Sequence, residues 1–435
     1  MKKPLVAIIG RRNVGKSTLL NRMLGRRLSI VADLPGTTRD RIFADITWND
    51  VVFTAIDTGG LTLNPESRIE LDVESQVNTA MTEADLIIFM VDVKDRVTVV
   101  DKEIAGRLRE ASKPLLLVAN KADNDMLEIG ATEFYELGLG EPLAISAYHG
   151  RGIDILLDRV TELLPPGEPQ EAGPEGIKVA IVGHPGVGKS MLLNALLGTE
   201  RAIVGDMPGT TRDAVDSMID FNGQNVILID TAGIKRRGHV GRGVEEYSVI
   251  RAMRAIERSD IALLVLDATE MVTAQDTHVA GYIVQATRGI VLIVNKWDLV
   301  MSENTDEYTN QIKSKMKFAP YAPLLYISAK LKWGLERILP QALAVYRERC
   351  KKVDNARLKE IIKQAVSAHS PPRVGRKQLK ILSVSQTEIN PPCFVFLVNN
   401  PGLIHFSYRR YMENRLRDSF GFNGTPLRLV FKARG

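Results

Sequence analysis

A glycine-rich pattern, G-x-x-x-x-G-K-S, occurs twice in this chain and constrains its fold more than any other feature. The first copy comprises Gly10, Arg11, Arg12, Asn13, Val14, Gly15, Lys16 and Ser17, followed by Thr18, and the second comprises Gly183, His184, Pro185, Gly186, Val187, Gly188, Lys189 and Ser190. Each copy follows an apolar run that predicts a buried strand and precedes a leucine-rich helical pattern. A strand, this loop and a helix in succession are typical of a phosphate-binding loop.

The residue types in the loop match the chemistry of a bound triphosphate. Glycines let successive backbone N–H groups converge on an anion, and the helix N-terminus adds partial positive charge. We expect Lys16 and Lys189 to reach the β- and γ-phosphates, and Ser17 and Ser190 to bind Mg²⁺. Lys16, Lys189 and Asn13 are the candidates for stabilising phosphate charge during a reaction, whereas the sequence does not identify a general base.

Two N-K-x-D segments, each directly after a predicted buried strand, indicate which base is bound. They are Asn120-Lys121-Ala122-Asp123 and Asn295-Lys296-Trp297-Asp298. An aspartate accepts hydrogen bonds from N1 and N2 of guanine, and adenine does not offer that pair of donors. Backbone N–H groups that follow later strands, at Ser146 and Ala147 and at Ser328 and Ala329, are expected to reach guanine O6. The pattern therefore predicts GTP or GDP at two sites; Trp297 either covers the base or packs in the core.

The segments that sense the γ-phosphate are also present twice. Asp57-Thr58-Gly59-Gly60, followed by Leu61, and Asp230-Thr231-Ala232-Gly233, followed by Ile234, supply a D-x-x-G element. Thr38 and Thr211 lie in two P-G-T-T-R-D segments and are expected to close on Mg²⁺ when the γ-phosphate is present. The predicted Mg²⁺ ligands are therefore Ser17, Thr38, Asp57, Ser190, Thr211 and Asp230.

The spacing of these motifs predicts tandem domains of one architecture. The same offset separates Gly10 from Gly183 and Asp57 from Asp230. Apolar strand-like runs alternate with helical stretches, which predicts an α/β fold with a mostly parallel sheet covered by helices. We expect two P-loop G domains, at residues 1–163 and 177–349, joined by an acidic Pro- and Gly-rich solvated linker at 164–176.

The remainder of the chain, residues 350–435, differs in charge and predicted elements. A helix, two strands, a helix and a strand predict a small α+β domain. Residues 351–435 contain 16 Lys and Arg against 5 Asp and Glu, whereas the rest contains 41 against 47. This asymmetry favours a polyanionic partner, with Tyr408 and Tyr411 as candidates to stack on bases. A docking domain with a solvated basic face remains the alternative.

A short segment in this region, Gly421-Phe422-Asn423-Gly424, matches the G-x-x-G pattern of loops that grip single-stranded nucleic acid. It falls between a predicted helix and the last predicted strand, and it carries no basic residue. We therefore interpret it as a helix stop and turn.

Cysteine content and hydropathy indicate the cellular compartment of the protein. Cys350 and Cys393 cannot form a disulfide framework, which favours a reducing cytosol. No signal peptide is recognisable, and no apolar run reaches the ~18–20 residues that a membrane span needs. We expect a cytoplasmic protein without a membrane span, and a monomer.

Taken together, the duplicated P-loop, P-G-T-T-R-D, D-T-x-G, N-K-x-D and S-A motifs, followed by a basic α+β domain, resemble the Der/EngA family of bacterial tandem GTPases. The resemblance covers essentially the whole chain. It implies Ras/Era-like G domains, a KH-like C-terminal domain, GTP hydrolysis, and a ribosome-associated role in assembly of the large (50S) subunit. The implied partners are the 50S subunit and rRNA, bound in a nucleotide-dependent way. Two alternatives remain: an RNA-binding scaffold with a nearly inert second domain, and a GTPase of tRNA modification, which the absence of a reactive C-terminal cysteine disfavours.

The two loops differ at a position that bears on catalysis. Leu61 and Ile234 follow D-x-x-G, where Ras-type enzymes place a glutamine that orients water. The resemblance implies that K⁺ replaces an arginine finger in such GTPases, with a loop asparagine as its signature. Asn13 matches that signature and Gly186 does not. We therefore expect K⁺ to act in the first domain, and the second domain to hydrolyse GTP slowly.

Overall fold

The computed structural model describes residues 3–25, 43–57, 81, 84–110, 113–165, 176–198, 205–207, 216–229, 249–300, 305–371, 373–374 and 377–433. The chain divides into two compact units, which comprise residues 1–173 with 248–251 and residues 174–247 with 252–435.

The first unit contains a six-stranded sheet with apolar cores on both of its faces. Its strands are β1 (Leu5–Ile9), β2 (Phe43–Trp48), β3 (Val51–Asp57), β4 (Leu86–Asp92), β5 (Leu115–Asn120) and β6 (Leu143–Ala144). Its described helices include α1 (Lys16–Gly25), α2 (Val99–Leu108), α3 (Asp125–Gly130) and α4 (Ile153–Leu163). The strand order is β2-β3-β1-β4-β5-β6, and β2 alone in this order runs antiparallel to its neighbour.

Burial explains why the central strands of this sheet are continuously apolar. Every residue of β1 and of β4 is buried, because helices cover both faces of a parallel sheet. Parallel strands end at the same edge, so the loop after β1, Asp57 at the end of β3 and Asn120 at the end of β5 lie together. The fold therefore assembles the predicted nucleotide motifs at one sheet edge.

The second unit repeats this sheet. Its strands are β7 (Ile177–Val182), β8 (Gly205–Met207), β9 (Asp216–Phe221), β10 (Gln224–Ile229), β11 (Ile261–Asp267), β12 (Gly289–Asn295) and β13 (Leu324–Tyr326). Its described helices include α5 (Lys189–Leu197), α6 (Val249–Arg258, whose first three residues group with the first unit), α7 (Ala274–Gln285), α8 (Thr305–Lys315) and α9 (Ile338–Arg349). The order β13-β12-β11-β7-β10-β9-β8 equals that of the first sheet with one added edge strand. The predicted α/β repeat is confirmed.

The C-terminal region of the second unit is the predicted small α+β domain. It comprises α10 (Asn355–Ala368), β14 (Arg373–Val374), β15 (Lys377–Gln378), β16 (Ile381–Glu388), β17 (Cys393–Val398), α11 (Phe406–Phe420) and β18 (Arg428–Ala433). Strand β17 pairs antiparallel with β16 and parallel with β18. Apolar residues of α10 and α11 form one buried cluster with the sheet. The short hairpin β14–β15 is an element that the sequence interpretation did not anticipate.

Two sequence-based expectations about exposure are wrong. Leu164, assigned to the solvated linker, is 6% exposed, packs in the core of the first unit and donates its N–H to Val160 O, so the linker begins after it. Tyr408 is not available to stack on bases, because it is 3% exposed and its hydroxyl donates to His369 O. The hydroxyl of the half-buried Tyr411 likewise donates to Ala365 O. Both tyrosines hold α11 against α10.

The segment that we interpreted as a helix stop has that role. Gly421 follows the last residue of α11, has φ +87° and donates its N–H to Arg417 O at 2.8 Å. The next residue, Phe422, is fully buried, and its N–H donates to Glu348 Oε2 at the end of α9. The turn is therefore a contact between the C-terminal region and the second G domain.

Backbone hydrogen bonds extend that contact to the central sheet. Gly424 N–H donates to Tyr321 O at 2.8 Å, and Ile290 N–H at the start of β12 donates to Gly424 O at 2.7 Å. The guanidinium of Arg417 lies 3.7 Å from the centre of the Tyr321 ring. Arg417, one of the cationic residues of the C-terminal region, is thus engaged within the protein.

Substituting Gly424 tests how closely this turn packs. Gly424 has φ +72°, and a Cβ there would lie 2.4 Å from Val345 Cγ2. We expect Gly424→Ala to lower the free energy of unfolding by ~2–4 kcal/mol, from backbone strain and overpacking together. Urea denaturation followed by circular dichroism measures the loss.

Gly223→Ala is the matched control in the same unit. Gly223 has φ +74°, but no atom lies within 4 Å of its added Cβ. Only the left-handed strain applies, so we expect a loss of ~1–2 kcal/mol. Equal losses for the two variants would contradict the packing of the turn against Val345.

Candidate functional site

The last glycine of each P-loop is required by the close approach of an asparagine side chain. Gly15 has φ +100° and Gly188 has φ +93°. A Cβ at either position would lie 2.4 Å from the Nδ2 atom of Asn120 or Asn295, respectively. The loop backbone therefore lies directly against the asparagine of N-K-x-D in both domains.

Those two asparagines bridge the P-loop to the S-A segment with the same pair of hydrogen bonds. Asn120 Nδ2 donates to Val14 O at 2.7 Å, and Asn120 Oδ1 accepts from the N–H of Ala147 at 2.9 Å. In the second domain Asn295 bonds Val187 O at 2.7 Å and the Ala329 N–H at 2.9 Å. Each amide side chain is buried, so it fixes the phosphate end and the base end of the site relative to each other.

Each P-loop lysine folds back over its own loop. Lys16 Nζ donates to Gly10 O at 2.7 Å and to Arg11 O at 2.8 Å. Lys189 makes the equivalent bonds to Gly183 O at 2.9 Å and to His184 O at 2.7 Å. Burial lowers the pKa of Lys16, and the charge of Asp57 opposes that shift. The ammonium groups lie where the phosphates of a nucleotide are expected.

The first site contains oxygen groups that suit Mg²⁺. The Ser17 hydroxyl donates to Asp57 Oδ2, and Asp57 is 2% exposed at the end of β3. A hydroxyl and a carboxylate in contact beneath a phosphate-binding loop fit a hard cation that prefers oxygen ligands. In the second domain Ser190 lies at the start of α5. The remaining predicted ligands and switch residues, Thr38, Thr58, Gly59, Gly60, Leu61, Thr211, Asp230, Thr231, Ala232, Gly233 and Ile234, lie outside the described residues.

The carboxylate predicted to recognise the base in the first site, Asp123, is held ionised. Lys94 Nζ donates to Asp123 Oδ2 at 2.6 Å, and the Ser146 hydroxyl donates to Asp123 Oδ1 at 2.7 Å. The Lys94 bond first, and the Ser146 bond second, lower the pKa of Asp123. An ionised carboxylate has lone pairs left for the two guanine donors. Lys94 was not identified from the sequence.

Each lysine of N-K-x-D pairs with an aspartate at the end of a neighbouring strand. Lys121 pairs with Asp92, and Lys296 pairs with Asp267. Burial by itself would raise the pKa of Asp267, but hydrogen bonds from Lys296 and Thr269 outweigh it and lower that pKa. Both lysines have left-handed backbones, with φ +67° and +62°. They stabilise the turn that presents the next two residues.

Trp297 packs within an aromatic cluster. Its ring centroid lies 5.1 Å from that of Tyr308 and 4.3 Å from that of Tyr326. Burial raises the pKa of Tyr308 to about 12, which keeps its hydroxyl protonated as it donates to Ala268 O. Of the two sequence-based alternatives for Trp297, the described contacts favour packing.

The second residue of each P-loop anchors the loop to an acidic pair. Arg11 Nη2 donates to Asp95 Oδ2 at 2.6 Å, so this side chain is engaged away from the loop lysine. In the second domain His184 is buried, with Nδ1 2.9 Å from Asp276 Oδ1 and Nε2 3.3 Å from Glu270 Oε2. The first loop thus carries a guanidinium where the second carries an imidazole ring.

The contact of Arg11 and His184 with acidic residues was not predicted from the sequence, although the repeat contains a signal for it. Asp101 and Asp276 are separated by the same offset as Asn120 and Asn295. Both are fully buried at the third position of a helix, where they complete capping boxes with Thr98 and Thr273. Asp101 Oδ2 lies 3.7 Å from Arg11 Nε. Buried carboxylates at equal positions of two repeats indicate that each has a polar partner side chain.

The two loops have the same backbone conformation at the position that distinguishes them. Asn13 has φ +65° and Gly186 has φ +82°. No atom lies within 4 Å of a Cβ built on Gly186. The second loop therefore has space for an asparagine and lacks only the side chain.

Two further findings concern metal-binding groups and membrane-spanning helices. Within the described ranges, no group of three or more His, Cys, Asp or Glu side chains is arranged to hold a metal ion. Over the same part of the chain, no helix combines the length and apolar character needed to cross a membrane.

Comparison with protein families supports the architecture. A family described as "50S ribosome-binding GTPase" matches residues 5–121 and 178–296. A second, described as "KH-domain-like of EngA bacterial GTPase enzymes, C-terminal", matches residues 352–432. These matches cover both G-domain sheets apart from the edge strands β6 and β13, together with most of the C-terminal region.

Individual relatives span the whole chain. GTPase Der of Thermomicrobium roseum is 50% identical over 100% of this chain and 97% of its own. GTPase Der of Herpetosiphon aurantiacus is 46% identical, with the same coverage of 100% and 97%. The protein of that name from Clostridium novyi is 45% identical over 100% of both chains.

Solved structures with partial similarity include other GTP-binding domains. Era in complex with MgGDPNP and nucleotides 1506–1542 of 16S ribosomal RNA has 22% identity and a TM-score of 0.29, covering 59% of this chain and 91% of that one. The G domain of the T. maritima FeoB iron transporter has 23% identity and a TM-score of 0.28, covering 39% and 98%.

The family matches show G domains, which bind guanine nucleotides, typically with Mg²⁺. Because full-length relatives at 45–50% identity share both G domains and the KH-like region, this chain belongs to the GTPase Der family and is a GTPase.

Proposed function

We propose that this chain is a two-site GTP-hydrolysing switch that acts in assembly of the 50S ribosomal subunit, bound to rRNA through its KH-like region. The observation that carries the proposal is the asparagine bridge, which recurs with equal distances at Asn120 and Asn295. A degenerate second site would not need to preserve that buried geometry. We place the G domains at residues 1–164 and 177–349 and the KH-like domain at 350–435.

Each proposed site binds a nucleotide through groups at the two ends of the bridge. Lys16 and Lys189 exchange their loop carbonyls for phosphate oxygens, and Asp123 and Asp298 accept the guanine donors. Ser17 and Asp57 hold Mg²⁺ in the first site, and bound Mg²⁺ neutralises phosphate charge. Nucleotide state then changes the switch segments, and hydrolysis resets them.

Exposed cations support an RNA surface on the KH-like region. The exposed members are Lys352, Arg357, Lys359, Lys363, Lys380, Arg410, Arg415, Arg428 and Lys432. Of these, Arg357, Lys359 and Lys363 lie on α10, away from its buried residues Leu358 and Ile362. We infer that phosphate contacts come from such residues. A G-x-x-G grip is disfavoured, because Gly421 and Gly424 contact the second G domain.

Sedimentation with 50S subunits tests the proposal. We expect co-sedimentation with a non-hydrolysable GTP analogue in both sites and at least tenfold less with GDP, because differential affinity is what makes a switch. Binding that ignores the nucleotide would favour the scaffold alternative, in which the second domain is inert. Absence of binding in every state would contradict the 50S role.

Exchanging the residues at the loop position tests the assignment of K⁺. Asn13→Gly is expected to abolish K⁺ stimulation of GTP turnover in the first site. Gly186→Asn, in a chain whose first site carries Lys16→Ala, is expected to create at least tenfold stimulation, since the open left-handed position accepts the side chain. Turnover in KCl against NaCl measures both effects. K⁺ activation that persists in Lys16→Ala with Gly186 unchanged would contradict the assignment.

Salt dependence tests the phosphate contacts. Affinity for rRNA should fall steeply with salt, and Lys359→Ala combined with Lys363→Ala should reduce the log–log slope by about 1–2. The control is Lys313→Ala, an exposed lysine on α8 outside the KH-like region. An unchanged slope in the double variant would remove α10 from the RNA surface.

A further inference from the structure

An arginine of α1 reaches across the first site to the segment that follows Ser146. Arg22 Nε donates to Ala147 O at 2.9 Å, and Arg22 Nη2 donates to Tyr148 O. Arg22 is half-buried, and it belongs to the helix whose N-terminus completes the P-loop. A planar, fork-shaped donor on a helix thus holds two successive carbonyls of the S-A segment.

These carbonyls determine where the neighbouring N–H groups point. In a trans peptide the C=O and the next residue's N–H point in opposite directions, so fixing Ala147 O toward α1 directs the Tyr148 N–H away from it. The N–H of Ala147 itself is already bonded to Asn120 Oδ1. The Tyr148 N–H is therefore the amide of this segment that Arg22 presents for a base oxygen.

The second domain lacks this arginine. Its helix α5 carries Ala195 at the position that the repeat offset aligns with Arg22. A methyl group has no donor for the carbonyls of Ala329 and Lys330. The asparagine bridge is shared by the two sites, whereas the arginine contact belongs to the first alone.

We propose that Arg22 is a positioning residue of the first nucleotide site, which orients the Tyr148 amide toward O6 of guanine. The proposal rests on the guanine site proposed above and adds the group that sets its recognition of O6. Arg22 touches neither base nor phosphate in this arrangement. It acts on the 6-oxo group through the backbone, independently of Asp123, which recognises N1 and N2.

The test measures competition of three diphosphates against a fluorescent GDP in the full chain carrying Lys189→Ala, so that only the first site reports. The competitors are GDP, 6-thio-GDP, whose sulfur accepts hydrogen bonds poorly, and IDP, which keeps O6 but lacks the 2-amino group. Arg22→Ala should reduce the preference for GDP over 6-thio-GDP about threefold to tenfold, since one backbone hydrogen bond is lost. It should leave the preference for GDP over IDP unchanged.

The conservative variant and a matched control separate positioning from stability. Arg22→Lys retains one donor and should restore part of the GDP preference over 6-thio-GDP. Arg159→Ala removes an exposed arginine of α4, paired only at the surface with Glu162, and should leave both preferences unchanged. A fall in affinity that is equal for all three ligands, or no change at all, would overturn the proposal while the guanine site stands. Failure of the parent chain to bind GDP would instead overturn the site, and the proposal with it.

Discussion

A buried amide in each domain holds together two segments that are far apart in sequence. Asn120 and Asn295 each accept one backbone N–H and donate to one P-loop carbonyl. A buried polar group left unpaired costs free energy, so movement of the P-loop or of the S-A segment would break a hydrogen bond to the asparagine and destabilise the site. The glycines at positions 15 and 188 follow from this constraint, since any side chain there would collide with the amide.

Much of this arrangement could be predicted because it depends on short-range patterns. The apolar runs predicted the strands, and the helix predicted at the start of the C-terminal α+β domain is Asn355–Ala368. The repeat predicted that the two sheets would share one architecture. Contacts between residues far apart in the sequence could not be predicted from such patterns. The residues that neighbour Arg22 and Lys94 in the sequence do not indicate that Arg22 bonds Ala147 or that Lys94 bonds Asp123. Tyr408 was misjudged because amphipathic aromatic residues suit both a base and a core.

The two sites share a backbone and differ in the side chains placed on it. Arg11 is replaced by His184, Asn13 by Gly186 and Arg22 by Ala195, while the backbone torsions at the loop stay alike. The two domains share the residues that the buried contacts require, namely the bridging asparagines and the glycines beside them. The differences fall on groups to which we assign charge, K⁺ binding and base recognition, so the second site is expected to respond differently to the same nucleotide.

Strand β12 runs from the contact with the KH-like region to the asparagine that bridges the second P-loop. Near its start, the Ile290 N–H donates to Gly424 O of the KH-like region. Its last residue is Asn295. A β-strand is stiff along its length, and these ends are only ~17 Å apart. We therefore expect a displacement of the C-terminal turn to be transmitted along this buried strand to Asn295, whose side chain bridges the second P-loop and its S-A segment.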